Sequence, residues 1–549
     1  MIKPEFKSIF ILVVLSLVFF MFGNNILSLT NPDEVFYAQT AKEMAQHNTW
    51  MTPYIFGAPQ FEKPILTYWL LRVAGIFFGF TSFGARFFPA LFGIFGVLAV
   101  YFLALIGFKN ERKAFICGLV LMSSGLYFGM ARTVFTDLIF SVFILFSLSS
   151  FYWGYIFKEK KAAGTLLFFI FAGLAVLTKG PLGMLITFLI VFLFLLVRKE
   201  TKTIFSRPFF WGFLLFLVIS LPWYIFMEMK YGAAFNKEFF YNDHFRRLIS
   251  AEHSSNDKWY FYPFSIIGCM FPWCLYLLLG LFYSFKSLKR NTNPFYDFLF
   301  IWLTVVFLIF QPAHSKLVSY ILPLFPALAM ICGDYLCNTA LSEFRNKQLF
   351  IANIVTLLVI LVFPVGLIVT SHMFSSYLSS VLPVYIFFSL YIILAIWFAY
   401  LIFRDKISKI AYPLIFVVPL ALFFSFSVHE DIEPYVSSKN VCAYLKENFS
   451  LKIPPIVCSK SFARGIKYFT DSDLLILDIP AGNFFSPHPF VFLNSADKIK
   501  AQLVKYPGTF FILNKHYTNF IKEQFGKEYG FSLFKQFGSE YLLQLKPKT

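Results

Sequence analysis

Charge is what this chain of 549 residues has least of. Asp, Glu, Lys and Arg make up only 14% of it, while hydrophobic residues make up 58%. A soluble globular chain carries roughly 25% charged and 45–50% apolar residues, so an ordinary soluble enzyme and a disordered protein are both excluded. Acidic residues are the scarcer sign, 29 against 47 basic, which leaves a formal net charge of +18. Cysteine is sparse as well. The seven cysteines show no CxxC pair and no zinc-ribbon spacing, which excludes a visible metal framework and a disulfide-rich secreted module. Cys117, Cys269, Cys274, Cys332 and Cys337 fall in apolar stretches and read as small core residues. Cys442 and Cys458 lie in the polar C-terminal part, where a disulfide between them stays open. There is no internal repeat, no low-complexity tract and no Gly-rich nucleotide loop.

What the chain has instead is apolar length. Segments of about 20 residues, enough to cross a bilayer as helix, recur at 8–29, 83–107, 113–130, 138–157, 164–178, 181–197, 208–228, 262–284, 295–312, 317–337, 349–371, 383–403 and 410–428. They predict a polytopic all-α membrane protein with about thirteen transmembrane helices. The first segment follows Lys3 and Lys7 and lacks a small-residue cleavage site, so it is expected to stay as a helix with its N-terminus in the cytoplasm.

The basic residues test this topology. Alternate connections carry Lys109, Arg112 and Lys113; Lys158, Lys160 and Lys161; Arg198, Lys199, Lys202 and Arg207; Lys286, Lys289 and Arg290; Arg345 and Lys347; Arg404, Lys406 and Lys409. All fall on one expected side, the cytoplasmic one by the positive-inside rule. Most of the +18 therefore encodes orientation, and nucleic acid is not an expected partner.

Two connections on the other, outer side are long, at 30–82 and 229–261. The first holds an amphipathic piece, Glu34 to Gln46, and a more apolar one, Pro64 to Phe80, both suited to lying along a membrane surface. Residues 1–429 are thus expected to form one membrane domain carrying these loops. Residues 430–549 alternate helix-like runs (Ser438–Phe449, Asp497–Lys505, Tyr517–Phe525) with strand-like ones (Ile456–Cys458, Leu474–Ile479, Phe490–Leu493, Thr509–Leu513, Tyr541–Leu545). That alternation predicts a separate small α/β domain, and the odd number of helices puts it on the outer side.

The ionisable residues on the outer side are few and grouped. They are Asp33 and Glu34, Glu62 and Lys63, Arg132, Asp137, Lys179, Asp243 to Arg247, and Lys316 with Tyr320. Each has a bland reading. Asp33 and Glu34 suit the first turn of a helix after Pro32. Arg132 and Lys179 suit lipid-headgroup anchors, Arg246 and Arg247 suit contact with anionic lipid, and Tyr320 suits an aromatic belt. Taken together they point elsewhere. Bases retained in short outer loops, against the positive-inside bias, suit an anionic substrate. The acids would then orient an acceptor, a metal or a cationic sugar.

The order of these residues resembles a known family. Asp33-Glu34, Phe61-Glu62-Lys63-Pro64, Asp137, Thr178-Lys179-Gly180, Leu221-Pro222-Trp223, His244 with Arg247, and Ser315-Lys316-Leu317 leading to Tyr320-Ile321-Leu322-Pro323 are similar to the pattern of the bacterial lipid A aminoarabinose transferases. These are members of the protein O-mannosyltransferase-like GT-C glycosyltransferases. The resemblance spans residues 10–330, and the C-terminal region matches in size and placement only. It implies a monomeric enzyme of the Gram-negative inner membrane with its active site facing the periplasm. Such an enzyme moves an aminosugar from undecaprenyl phosphate to a phosphate of lipid A, which protects against polymyxin and cationic peptides. The chain departs from the pattern at Leu138, where relatives carry Pro, and at Ala313-His314-Ser315 before Lys316. The sugar is accordingly left open between 4-amino-4-deoxy-L-arabinose and a relative such as galactosamine.

The roles implied are as follows. Lys63, Arg247 and Tyr320 would hold the lipid phosphate, with Lys316 and Lys179 as further contacts. Asp33, Glu34 and Asp137 are the catalytic acids; Asp33 and Asp137 chiefly position, and Asp33 is the alternative base. Arg132 and Arg246 would position acceptor or sugar. No cofactor is required, although Glu62 and His244 form a pair able to share zinc or magnesium. Two rival readings stand beside this one. A protein O-glycosyltransferase on the same lipid carrier would need Asp33 as base. A lipid-linked sugar transporter would place its charges near the membrane midplane, where this chain has few.

Overall fold

The computed structural model describes residues 3–250, 254–289, 293–340, 347–373, 375–449, 455–479 and 489–547. Arg290 and Arg345 of the expected cytoplasmic loops lie outside these ranges, and the side chain of His244 is outside the described side chains. The chain divides into two compact units. One comprises Met1–Asn24, Phe61–Thr67 and Arg86–Ser427, the other Asn25–Gln60, Tyr68–Ala85 and Val428–Thr549. The loop at 30–82 is therefore divided between the two rather than belonging wholly with the membrane helices.

The first unit is helical. Among the described residues seven helices are long and apolar enough to cross a membrane: Ser82–Phe108, Thr136–Ile156, Lys158–Lys179, Arg207–Tyr231, Val318–Thr339, Lys347–Met373 and Leu382–Phe403. Counting each of two bent pairs as one span raises this to nine. Every expected segment contains helix, but some are short or broken, and the reasons are local. The segment at 113–130 is two helices, Glu111–Ser123 and Gly125–Met130. Ser124 between them is extended at φ −72° and ψ 134°, and the Gly125 N–H donates to the Phe271 carbonyl at 3.0 Å. The segment at 262–284 bends by 110° between Phe261–Cys269 and Cys274–Lys286. Pro272 stands in the break; it has no N–H to give a helix and pushes the residue before it out of the α region.

The helices Thr136–Ile156 and Lys161–Lys179 cross at two glycines. A Cβ on Gly164 would meet the Ser150 carbonyl at 2.6 Å and the Gly154 Cα at 2.7 Å. Small residues at such a crossing let the two backbones touch. The pair is thereby held side by side along its length, and its far end carries Asp137 and Lys179.

The second unit is built on a six-stranded sheet. Its strands run in the order Val491–Leu493, Leu474–Leu477, Ile456–Ser459, Phe510–Leu513, Glu540–Pro547, Tyr529–Phe537. The first four are parallel and the last two antiparallel. Side chains alternate between faces. Ile456, Cys458, Ile476 and Ile512 join Val441, Leu445 and Ile466 of the helices Lys439–Asn448 and Lys460–Thr470. Val457, Leu477, Phe511 and Leu513 join Ile499, Leu503, Ile521 and Phe525 of the helices Ala496–Lys505 and Lys515–Phe525. A parallel sheet covered on both faces is the expected α/β arrangement. The helix Lys460–Thr470 and the strand Tyr529–Phe537 are additions to the elements expected from the sequence. Cys442 and Cys458 are both buried free thiols.

One carboxyl in this unit is unusual. Glu540 is 2% exposed. It accepts a hydrogen bond from the Ser438 hydroxyl, and its second oxygen finds no partner among the described residues. Burial pushes its carboxyl up to about 8.

Candidate active site

The helical unit brings Lys63, Asp243, Arg247 and Tyr320 together. Phe61, two residues before Lys63, packs its ring 5.1 Å from that of Tyr231 and 5.9 Å from that of Phe235. Trp223, fully inside the unit, packs on Phe235 and Phe239 in turn. These aromatic contacts hold residues 61–67 against the segment Lys237–Arg246, which is wound as a π-helix. Such turns are rare and recur at functional sites. Lys63 Nζ donates to Asp243 Oδ2 at 2.6 Å. Arg247 lies one turn on, its Nη2 3.3 Å from Asp243 Oδ1, and its Nη1 donates to the Tyr320 hydroxyl at 3.0 Å.

Lys179 and Asp137 form the neighbouring pair. Asp137 stands in the first turn of Thr136–Ile156, Lys179 ends the helix Lys161–Lys179, and the two are hydrogen-bonded. Lys179 Nζ also lies 4.3 Å above the centre of the Tyr320 ring, a cation–π contact that ties this pair to the first group.

A cavity of about 280 Å³ is lined by Lys63, Lys179, Asp243, Arg247, Ser315 and Tyr320 on its polar side. Pro181, Leu185 and Phe240 form part of its apolar wall, and the same three residues line a larger groove of about 970 Å³. That groove is walled by aromatic and aliphatic side chains of Lys161–Lys179, Leu182–Val197 and Arg207–Tyr231, and reaches Phe205 near the opposite ends of these helices. A small cationic cavity opening beside a long apolar groove suits an amphiphile with an anionic head.

Other expected site residues are placed differently. Lys316 does not line the cavity. Its Nζ donates to Asp257 Oδ1 at 3.2 Å, and His314 Nδ1 meets Asp257 Oδ2 at 2.8 Å. These two partners hold the Asp257 carboxyl below its usual value. Arg132 is buried and donates to the carbonyls of Phe19 and Phe22, both at 2.7 Å. It therefore satisfies the end of the helix Phe6–Met21, whose last carbonyls have no partner within the helix. Arg246 closes the π-helix and is half-buried. Glu62 precedes Lys63 and offers its backbone carbonyl to Lys63 Nζ at 3.2 Å. The side chain of its expected metal partner, His244, lies outside those described. Among the described residues no group of three or more His, Cys, Asp or Glu side chains is arranged to hold a metal ion.

Asp33 and Glu34 belong to the second unit. Glu34 is fully buried and accepts from the backbone N–H and the hydroxyl of Thr30, at 3.0 and 3.1 Å. These bonds tie Glu34 to Thr30, just ahead of the helix Asp33–Gln46. Asp33 points outward, its side chain 60% exposed, with Arg464 Nη1 at 3.9 Å.

Sequence reasoning gave Asp243 no role, although its i,i+4 spacing to Arg247 was the available signal. It also gave none to Asp257 and His314, for which no local signal exists.

Comparisons with known proteins place the chain among related sequences and folds. Residues 6–236 match the family described as dolichyl-phosphate-mannose-protein mannosyltransferase. An uncharacterized protein of Aquifex aeolicus is 31% identical over 336 residues, covering 61% of this chain and 65% of its own. The undecaprenyl phosphate-alpha-4-amino-4-deoxy-L-arabinose arabinosyl transferase 2 of Proteus mirabilis is 32% identical over 339 residues, covering 60% and 59%. The chain thus spans about three fifths of the length of the curated relatives it matches. Among solved structures, ArnT from Cupriavidus metallidurans bound to undecaprenyl phosphate superposes with a TM-score of 0.76 at 17% identity, over 98% of both chains. The apo form of that protein gives 0.77 at 18%, also over 98% of both. These likenesses establish the fold. Over residues 6–236 the chain is thus similar to that mannosyltransferase family, and over 60% of its length to the undecaprenyl phosphate-aminoarabinose transferase of Proteus mirabilis.

Proposed function

We propose that this chain transfers an aminosugar, 4-amino-4-deoxy-L-arabinose or a relative such as galactosamine, from undecaprenyl phosphate to a phosphate of lipid A. The reaction takes place at the periplasmic face of the inner membrane and lowers the negative charge of the cell surface. The observation that carries this reading is the convergence of Lys63, Arg247 and Tyr320 on a cavity that shares walls with a long apolar groove. The polyprenyl tail lies in the groove and the phosphate sits among the cations.

In the transfer, the bond between the anomeric carbon and the lipid phosphate oxygen breaks, and its electron pair leaves with the phosphate. A lipid A phosphate oxygen forms the new bond to that carbon, through an oxocarbenium-like transition state as in other glycosyl transfers. Lys63 and Arg247 stabilise the charge developing on the leaving phosphate, with the Tyr320 hydroxyl as a further donor. A phosphate monoester has its second pKa near 6, so the acceptor is already ionised at neutral pH and needs no strong base. Asp137 holds the Lys179 ammonium in place, and Asp33 orients sugar or acceptor. No cofactor enters this scheme. A zinc or magnesium ion on Glu62 and His244 would add to it, and would show as activity lost on chelation and restored by that metal.

Mass spectrometry of lipid A from a deletion strain tests the reading. The aminosugar is expected to disappear and to return with the wild-type chain. Unchanged lipid A together with loss of a glycosylated protein would replace it by protein O-glycosylation, with Asp33 as base.

A further inference from the structure

We propose that Asp243 sets the charge of the phosphate cavity, so that a doubly charged lipid phosphomonoester is held little more tightly than a singly charged lipid phosphodiester. The inference rests on the lipid-phosphate reading of the cavity and adds to it the discrimination between donor and product.

The geometry is specific. Asp243 spends one carboxylate oxygen on Lys63 at 2.6 Å and the other on Arg247 at 3.3 Å. Its side chain is 8% exposed and lines the same cavity as the two cations. Lys179, the third cation on that wall, is matched by Asp137. Asp243 thus stands inside the anion cavity on the two bases best placed to grip a phosphate. Within the cavity and its partners, Lys63, Lys179 and Arg247 face Asp137 and Asp243, which leaves about one positive charge for the ligand.

The two lipids differ by about that much. A sugar–phosphate–lipid diester carries one negative charge. The monoester left after transfer carries about −1.5 to −2 at pH 7. A cavity of several uncompensated cations would bind the more highly charged product more tightly, because Coulomb attraction scales with ligand charge and is poorly screened in a partly buried site. Asp243 lowers the cavity's charge from about +2 to about +1 and so cuts that advantage about in half. It also keeps Lys63 and Arg247 paired and oriented in the empty cavity, where unpaired buried charges are costly. Asp243 is in this sense a positioning residue whose charge tunes specificity.

The test is binding to the purified full-length chain in detergent. The probes are a polyprenyl monophosphate and its methyl phosphodiester, each measured at pH 7.5 and pH 5.5. The wild type is expected to hold the monoester only about two- to threefold tighter than the diester at pH 7.5. D243N is expected to shift the ratio toward the monoester, to about tenfold at pH 7.5, following the Coulomb scaling. The shift should shrink at pH 5.5, where the monoester is mostly singly charged, and D243E should keep the wild-type ratio. In turnover, D243N should lower kcat through slow product release without raising the KM for donor. A wild type that already holds the monoester about tenfold tighter overturns the proposal, whether or not D243N folds. So does a D243N chain that loses both affinities in parallel, which would make Asp243 a support of the fold alone. If the wild type binds neither probe, the lipid-phosphate reading itself fails.

Discussion

Arg247 donates to the Tyr320 hydroxyl at 3.0 Å, although 73 residues separate the two in the chain. The bond joins the short helix Arg247–Ile249, which follows the π-helical segment, to the 3₁₀ segment Val318–Leu324, and Arg247 and Tyr320 both face the cavity that Lys63 also lines. A phosphate held there meets two cations and a hydroxyl whose geometry is set before it arrives. Preorganisation of this kind is what makes such contacts effective in a transition state.

The first expectation follows from that contact. Lys63→Ala and Arg247→Ala should each lower sugar transfer by about 10²–10³-fold, the usual scale for removing one preorganised donor. Tyr320→Phe keeps the ring under Lys179 and should cost less. Lipid A mass spectrometry, read beside immunoblots of membrane levels, checks this. Normal modification in any of these variants would remove that residue from the site.

Arg132→Ala should act on stability and not on chemistry. It frees two carbonyls at the end of the helix Phe6–Met21, and loss of charged hydrogen bonds costs about 2 kcal/mol. A lowered melting temperature in detergent is expected, with near-normal specific activity in the fraction that stays folded. A variant of normal stability that cannot transfer sugar would return Arg132 to the site.

Asp33 and Glu34 are adjacent in sequence but should separate in assay. Glu34→Ala removes the acceptor of both Thr30 bonds and should destabilise this turn by about 1–3 kcal/mol, the usual cost of leaving a buried donor without its partner. Asp33→Ala leaves those bonds intact and should abolish polymyxin resistance at normal membrane levels. Thermal melts and resistance plates distinguish the two. Equal loss of stability in both variants would make Asp33 a structural acid.

Glu540 gives a dependence on pH. Its folded carboxyl sits at about 8, against an ordinary value of 4.5. Between these values the folded state keeps a proton that the unfolded state has released. The contribution to stability is therefore fully present below 4.5 and is lost as pH rises through about 8. Melts of the full chain from pH 5 to 9 should show this decline, and Glu540→Gln should flatten it. An unchanged slope in the variant would assign the effect to another group.

Much of the fold was legible in the sequence. Transmembrane helices are read from the length and apolarity of a segment, and both are local properties. So is the alternation of short helices and strands after residue 430, which the sheet strands Ile456–Ser459 and Phe510–Leu513 bear out. The breaks were less legible. Nothing within 113–130 says that Ser124 will be extended, because the partner for the next N–H comes from Phe271, far along the chain. The strand Tyr529–Phe537 was missed because most of its residues are at least partly exposed, so it shows no buried face to read.

The candidate site divides in the same way. The sequence by itself determined the membrane class, the helical segments and the set of outer ionisable residues, because charge in so apolar a chain is costly and stands out wherever it occurs. It could not say which of those residues meet. Tertiary structure decided that Lys63, Arg247 and Tyr320 share a cavity, that Asp243 stands between the first two, and that Lys179 holds Asp137. It also placed Arg132 on the carbonyls at the end of the helix Phe6–Met21 and Glu34 on Thr30. The physical reason is the same each time. An ionisable side chain takes the partner that packing brings within hydrogen-bond reach, and here Phe61 on Tyr231 and Gly154 against Gly164 set that reach.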